Sequence, residues 1–286
     1  MSDVVIVGAG GMTGWELVQR ANRQGLGARG LTRADLDIGD GAAVSRAIEA
    51  ESPRVVINAA AYTAVDKAES EPDVAMRVNA DGARNVARAA AAVGAAVVHI
   101  STDYVFDGAS ATPYMPDHPV HPLGVYGESK LAGEQAVRSE AQSHAIVRAS
   151  WVFSHRGRNF VRTMLERGKA GQPLRVVNDQ HGNPTGAGDL ADALLVVAAA
   201  MSKDETLRGT WHFANSGSTT WYEFARAIFE CGGMAAAVEP TSTSQFPTAA
   251  RRPAYSILDT TSFTATFGVT PRPWSEPLRE TLEQLT

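Results

Sequence analysis

Four short apolar runs constrain what this chain can fold into more tightly than any other feature. They are "VVIVG" (4–8), "RVVINAAA" (54–61), "AVVHIS" (96–101) and "HAIVRAS" (144–150), rich in β-branched residues and nearly continuous in hydrophobicity. Strands read this way when both faces are covered, as in a parallel sheet. Helix-like segments separate them: "WELVQRANRQG" (15–25), "AMRVNADGARNVARAAAAVG" (75–94) and the stretch around "YGESK" (126–130). Strands alternating with helices imply right-handed crossovers, and so a doubly wound parallel α/β sheet.

The first of these crossovers is glycine-rich. "VVIVGAGGMTGWEL" sets Gly8, Gly10, Gly11 and Gly14 between a strand and a helix. One glycine makes the tight turn, another admits a pyrophosphate against bare backbone, and Gly14 permits close helix–strand packing. The helix N-terminus offers free N–H groups to phosphate. In this context the loop reads as a dinucleotide site, and the sheet as Rossmann-like. The second strand should carry an acid for the ribose or a base for a 2′-phosphate at its end. There the chain reads "ARGLTRADLDIGD", with Arg33 placed for a phosphate and Asp35 and Asp37 just beyond. NADPH is the cofactor favoured, with NADH open. "NAAAYT" (58–63) ends the next strand, and its three alanines suit a floor under a flat cofactor.

Beyond Ala149 the character changes. Arg148, Arg156, Arg158, Arg162, Arg167, Lys169 and Arg175 face one acid, Glu166, in a chain of net charge −5. On charge counting alone a solvated basic helix face is the favoured reading, and an anion-binding lobe is the functional one. "DLADALLVVAAAM" (189–201) reads as a buried, sheet-packing helix and "STTWYEFARAIFE" (218–230) as an amphipathic one. The division expected is a dinucleotide-binding domain over 1–150, with 186–215 returning to it. A smaller, mostly C-terminal α/β substrate lobe takes 151–185 and 216–286. The acidic balance gives no field for nucleic acid or an anionic membrane. The opening "MSDVVIVGAG" lacks the basic flank and long apolar run of a signal peptide. No stretch approaches the ~20 apolar residues of a membrane span. With Cys231 the only cysteine, internal disulfides are excluded. The seven scattered histidines show no metal-ligand spacing, so no metal is expected. Together these features point to a soluble cytoplasmic protein.

"VVHISTDYVFDG" brings Ser101 and Thr102 to the carboxyl end of a buried strand, the edge where open α/β sheets bind ligands. Tyr126 and Lys130 in "YGESK" share a helix face one turn apart. Alone, such a pair is more often surface than catalytic; downstream of a dinucleotide loop and a Ser-Thr strand end the balance reverses. Ketone reduction needs a hydride donor and an acid for the developing alkoxide. A free phenol titrates near pH 10, roughly 4 kcal/mol from being poised at neutrality. An ammonium about 4 Å away, at an effective dielectric of 20, supplies a bias on the order of 4 kcal/mol. The Thr102 hydroxyl could hydrogen-bond the carbonyl oxygen.

These motifs resemble the extended short-chain dehydrogenase/reductase superfamily and, within it, the dTDP-4-dehydrorhamnose reductase family. The resemblance runs along nearly the whole chain: "ADLDIGD", "VVINAAAYTAVDKAESEPDVAMRVNADGARNVA", "HISTDYVFDG", "VYGESKLAGE", "DQHGNPT", "STTWYEFARAIFE" and "RRPAYSILDTT". It implies reduction of the 4-keto group of dTDP-6-deoxy-L-lyxo-4-hexulose to dTDP-L-rhamnose, with NADPH or NADH. It implies Tyr126 as proton donor, Lys130 as its pKa partner and nicotinamide-ribose ligand, and Thr102 as the third catalytic hydroxyl. Gly11, Met12 and Thr13 resemble the pyrophosphate loop, Asp37 and Ile38 the adenine contact, and Ala60, Ala61 and Tyr62 the cofactor floor. Asp103 and Trp151 occupy positions like the family's sugar-binding residues. The substrate is thus expected to be a dTDP-4-keto-6-deoxysugar. Its diphosphate gives the basic 148–175 segment and Arg251–Arg252 an anion to grip, with Arg252 the candidate named. Pro116, His118, His121, Gly124 and Gly186 depart from the commoner residues and leave another 4-keto sugar nucleotide open as the substrate. A non-catalytic role, like that of the methionine adenosyltransferase β subunit, is the alternative from another class. Oligomeric state is not legible here, and a homodimer stays open.

Overall fold

The computed structural model describes residues 3–171 and 173–285. Its centre is a six-stranded sheet of β1 (Val4–Val7), β2 (Ala28–Leu31), β3 (Val55–Asn58), β4 (Ala96–Thr102), β5 (His144–Ala149) and β6 (Arg208–His212). The order is β6-β5-β4-β3-β1-β2, every pair parallel. Alternation along β1 shows why the runs are apolar throughout. Val4 and Ile6 enter one core and Val5 and Val7 the other. All four are buried, each worth roughly 1.5–3 kcal/mol of transfer free energy.

Helices cover both faces. Against one lie α1 (Met12–Arg23) and, from much later in the chain, the apolar helix expected over 189–201, which runs Ala187–Met201. Against the other lie α2 (Gly41–Glu51), α3 (Gly82–Ala92) and α4 (Val125–Glu140). The helix expected continuously over 75–94 is interrupted. A π-helical segment, Arg77–Asp81, joins Pro72–Met76 to α3. The extra residue in that turn swings its side chains out of α3's register.

A second core lies beyond β5. It packs α5 (Phe160–Lys169) against two later helices, Trp221–Cys231 and Ser275–Glu283. With Ala187–Met201 as α6, these two are α7 and α8. Val161, Met164, Phe224, Ile228, Leu278 and Leu282 fill the space between them. The parallel pair Leu174–Val177 and Val238–Thr241 joins this core. α7 starts with a capping box, in which Thr220 accepts from the Glu223 N–H and the Glu223 side chain accepts from the Thr220 N–H. No helix among the described residues is long and apolar enough to cross a membrane.

Candidate active site

The chain leaves β1 for β2 on one side and later returns to β3 on the other, so the strand order reverses between β1 and β3. Ligands of open α/β sheets bind in the crevice at such a point. There Gly8 has φ +83°, and a Cβ on it would sit 2.5 Å from the Ala60 nitrogen. No L side chain fits. Gly14 packs directly against the Gly8 carbonyl. At Gly10 and Gly11, by contrast, an added Cβ would meet nothing closer than ordinary contacts. Gly11 caps α1 without a side-chain bond, leaving the first-turn N–H groups, those of Met12 and Thr13 included, to an outside acceptor. Bare backbone, a helix N-terminus and the crevice between β1 and β3 fit a dinucleotide's pyrophosphate.

At the end of β2, Arg33 is exposed. Asp35 is taken up locally, accepting from the Thr32 N–H at 2.8 Å and hydroxyl at 2.7 Å. Asp37 is also engaged: Oδ1 accepts from the Gly39 N–H at 2.9 Å and Oδ2 from Arg77. The Arg77 bond, chiefly, holds its carboxyl below the usual range. Ile38 is buried against Gly82, and its carbonyl accepts from Asn85 at 2.9 Å. Arg33 is thus the charged group left facing outward.

Ala60, Ala61 and Tyr62 follow β3 and lie partly buried beside the glycine loop. The Ala60 N–H donates to Asn58 Oδ1 at 3.1 Å. Asn79, which the sequence reading did not single out, clamps Tyr62: Oδ1 accepts from the Tyr62 N–H at 2.8 Å, and Nδ2 donates to its carbonyl at 3.1 Å. Nδ2 also donates to the Ser129 hydroxyl at 2.9 Å, on the helix that carries Tyr126. The π segment aims Asn79 this way. A polar residue on the buried face of an alanine-rich helix was the available signal.

Thr102 ends β4 with 5% exposure, and Asp103 follows at 1%. The Thr102 hydroxyl donates to Asp103 Oδ1 at 3.1 Å and accepts from the Tyr104 N–H at 3.2 Å. Tyr126 stands in the first turn of α4, its ring edge-on to Tyr104 at 5.3 Å. Gly124 caps that helix without a side chain, and Glu69 Oε1 accepts the Val125 N–H at 3.0 Å instead. Burial pushes the Tyr126 phenol up to about 12; a hydrogen bond with Thr102 pulls it down and the Asp103 charge pushes it up. Burial likewise raises Asp103 to about 6 against the pull of the Ser256 and Thr102 hydroxyls. Its Oδ2 is buried without a well-aligned hydrogen bond.

Lys130 Nζ donates to the Ile100 carbonyl at 2.7 Å, so the amine is turned onto β4. Burial holds Lys130 itself down at about 8, with Glu134 pulling upward.

Trp151 sits just past β5 with φ +48°, a left-handed conformation costing about 1–3 kcal/mol for a non-glycine residue. Its indole stacks on Trp221, centroids 3.6 Å apart and planes 9° from parallel. Arg252 grips Asp66 through both terminal nitrogens, at 3.0 and 2.7 Å. Tyr104, whose ring is edge-on to Tyr126, lies close enough to influence the Arg252 charge. The basic segment does not act as one surface. Arg148, 2% exposed, is committed to Glu134 by two 2.8 Å bonds and cannot reach a substrate. Arg156 lies over the Trp15 ring at 4.4 Å, and Arg175 bonds Thr241 and Gln245.

A family model described as the RmlD substrate binding domain matches residues 1–286. Among curated proteins, the chain is 40% identical over 284 residues to a spore coat polysaccharide biosynthesis protein, SpsK, of Bacillus subtilis, covering 99% of this chain and 98% of that one. It is 43% identical over 284 residues to a dTDP-4-dehydrorhamnose reductase of Streptomyces griseus, covering 98% and 93%. A crystal structure of dTDP-4-dehydrorhamnose reductase from Bacillus anthracis in complex with NADP superposes with a TM-score of 0.93 at 39% identity, covering 99% of this chain and 100% of that one.

Proposed function

The chain belongs to the dTDP-4-dehydrorhamnose reductase family, and we propose from its site that it catalyses NADPH-dependent reduction of the 4-keto group of dTDP-6-deoxy-L-lyxo-4-hexulose to dTDP-L-rhamnose. One observation carries this reading. Thr102 at the carboxyl end of β4 and Tyr126 in the first turn of α4 flank Tyr104, whose N–H donates to Thr102 and whose ring is edge-on to Tyr126, beside a crevice shaped for a dinucleotide.

NADPH bound along Gly8–Gly14 and the Ala60–Tyr62 floor would supply the hydride. The protein's part is to hold the ketone and manage the proton. Thr102, its hydroxyl proton turned from Asp103, donates a hydrogen bond to the C4 oxygen as charge grows on it. Tyr126 stays protonated across the neutral range because burial holds the phenol high, so it is in the acid form when an alkoxide appears. Asp103 and the Trp151 indole contact the sugar, and Arg252 faces the diphosphate from the mouth. Lys130 serves the nicotinamide ribose from beneath. In this reading 1–150 and 186–215 bind the dinucleotide, while 151–185 and 216–286 bind the sugar nucleotide. The enzyme works in the cytoplasm, and a homodimer is compatible with the fold.

A coupled assay tests the substrate. The keto sugar is made in situ from dTDP-glucose by dehydratase and epimerase, and NADPH oxidation is followed with and without the epimerase. Turnover that requires the epimerase is expected; turnover without it would assign a different 4-keto sugar. Arg33→Ala tests the cofactor. Loss of a charge-assisted contact to the 2′-phosphate should weaken NADPH on the order of tenfold while leaving NADH nearly unchanged. Equal effects on both would remove Arg33 from that role.

A further inference from the structure

Beneath the helix that carries Tyr126, buried polar side chains form a line that the proton transfer above does not use. Asn58 at the end of β3 is 1% exposed, His99 in β4 is 1% and Lys130 in α4 is 2%. The Ala60 N–H fixes the Asn58 amide by donating to its oxygen. Asn58 Nδ2 is thereby turned toward His99 Nδ1, 3.2 Å away. An amide nitrogen only donates, so Nδ1 accepts and the single proton of a neutral ring lies on Nε2. The ring is neutral: burial above all, then the Lys130 charge, holds it well below its ordinary titration range. Its Nε2–H faces Lys130 Nζ at 3.5 Å.

That contact distinguishes the two forms of the lysine. An ammonium presents donors to a donor, whereas a neutral amine accepts the ring proton. We propose that His99 is a positioning residue for Lys130: its tautomer, locked through Asn58 to the cofactor floor at Ala60, sets a donor against the amine and turns it onto the Ile100 carbonyl. The proposal rests on Lys130 serving the reduction as described above. The titratable groups that face it are His99 from β4 and Glu134 on its own helix. The charges acting on His99 are Lys130, Glu134 and Arg138, and the charge acting on Lys130 is Glu134. Arg148, from β5, is taken up by Glu134. The consequence is a lysine whose charge, and with it the grip on the cofactor, varies with pH well below the ordinary lysine value near 10.

Two near-isosteric variants separate the tautomer from the bulk of the ring. In His99→Asn the side-chain oxygen replaces Nδ1 as Asn58's acceptor and nothing reaches Nζ. In His99→Gln the amide nitrogen stands about where Nε2 was and keeps a donor on the lysine. A neutral Lys130 grips the cofactor less, so NADPH affinity and kcat fall as pH rises through its pKa, and removing a donor that favours the neutral amine moves that fall upward. His99→Asn should shift the alkaline limb up by about one pH unit, with His99→Gln close to wild type. An unmoved limb in His99→Asn, or an equal shift in both variants, would overturn the proposal. NADPH affinity against pH, read by cofactor fluorescence, should show the same displacement without any sugar. If wild type is silent on the keto sugar at every pH, the substrate reading fails and this second profile still decides the role of His99. Wild-type protein labelled with 15N-histidine gives a readout that needs no variant to fold: the His99 Nε2–H tautomer is expected, and an Nδ1–H signal would contradict the assignment.

Discussion

The Asp103 carboxyl, 1% exposed, is raised from 3.8 to about 6, chiefly by burial. The native state therefore binds its proton more tightly than the unfolded chain does. That contribution to stability is complete below the unfolded pKa and lost as pH rises through about 6. Asp103→Asn should accordingly stabilise the protein at pH 7 and above by about 1–3 kcal/mol, leave it unchanged near pH 4, and slow turnover. Urea unfolding at the two pH values, set beside kcat, checks this; equal stability at both would mean the carboxyl is not held neutral by the fold. At this scale much is readable from sequence. Gly8, Thr102 and Tyr126 carry signatures in their own neighbourhoods: a strand before, a helix after, a fixed spacing; Trp151 is reached only through the family resemblance. Lys130 is found by spacing too, but where its amine points depends on the Ile100 carbonyl, and no five-residue motif contains that. Asn79 and His99 escape for the same reason. Each acts through partners 17 to 50 positions away.

At the scale of elements, α4 is the part the chemistry depends on, and it is held at both ends. Its N-terminus takes an external cap from Glu69, which supplies what Gly124 lacks. That accounts for one departure from the family's usual residues in terms of packing rather than substrate. Further along, Glu134 receives Ser101 at 2.6 Å, Arg138 at 2.8 Å and the two bonds from Arg148. Burial pushes the Glu134 carboxyl up, but Arg148, Ser101 and Arg138 together bring it down to about 2. Relative to its ordinary 4.5, the fold gains stability that is complete above that value and lost as pH falls toward 2. The loss amounts to about 3 kcal/mol as an upper figure. Arg148→Leu would leave the carboxylate buried beside only part of its partner set and should destabilise by about 3–5 kcal/mol at pH 7. Chemical denaturation reads this directly, and a change within about 1 kcal/mol would show that the pair does not anchor α4. The sequence alone offers Arg148 to an anion, because a count of basic residues carries no information about which strand face they occupy.

The whole molecule joins two cores across the site, and contacts between them reach the glycine loop and the helix after it. Asn159 Nδ2 lies 3.6 Å from Met12 Sδ, and Arg156 covers Trp15. The doubly wound sheet was legible because its strands are apolar throughout and its helices regular. How the second core closes over the first was not, since the 151–185 and 216–286 segments meet only in three dimensions, as the Trp151–Trp221 stack does. The proposed reduction requires this assembly to deliver a proton from Tyr126 to the reduced keto oxygen. Tyr126→Phe, compared with wild type for NADPH affinity and for kcat with the coupled keto-sugar assay, tests it most directly. Unchanged cofactor affinity with kcat lowered roughly 10²–10⁴-fold is the result the account predicts. A kcat near wild type would contradict it.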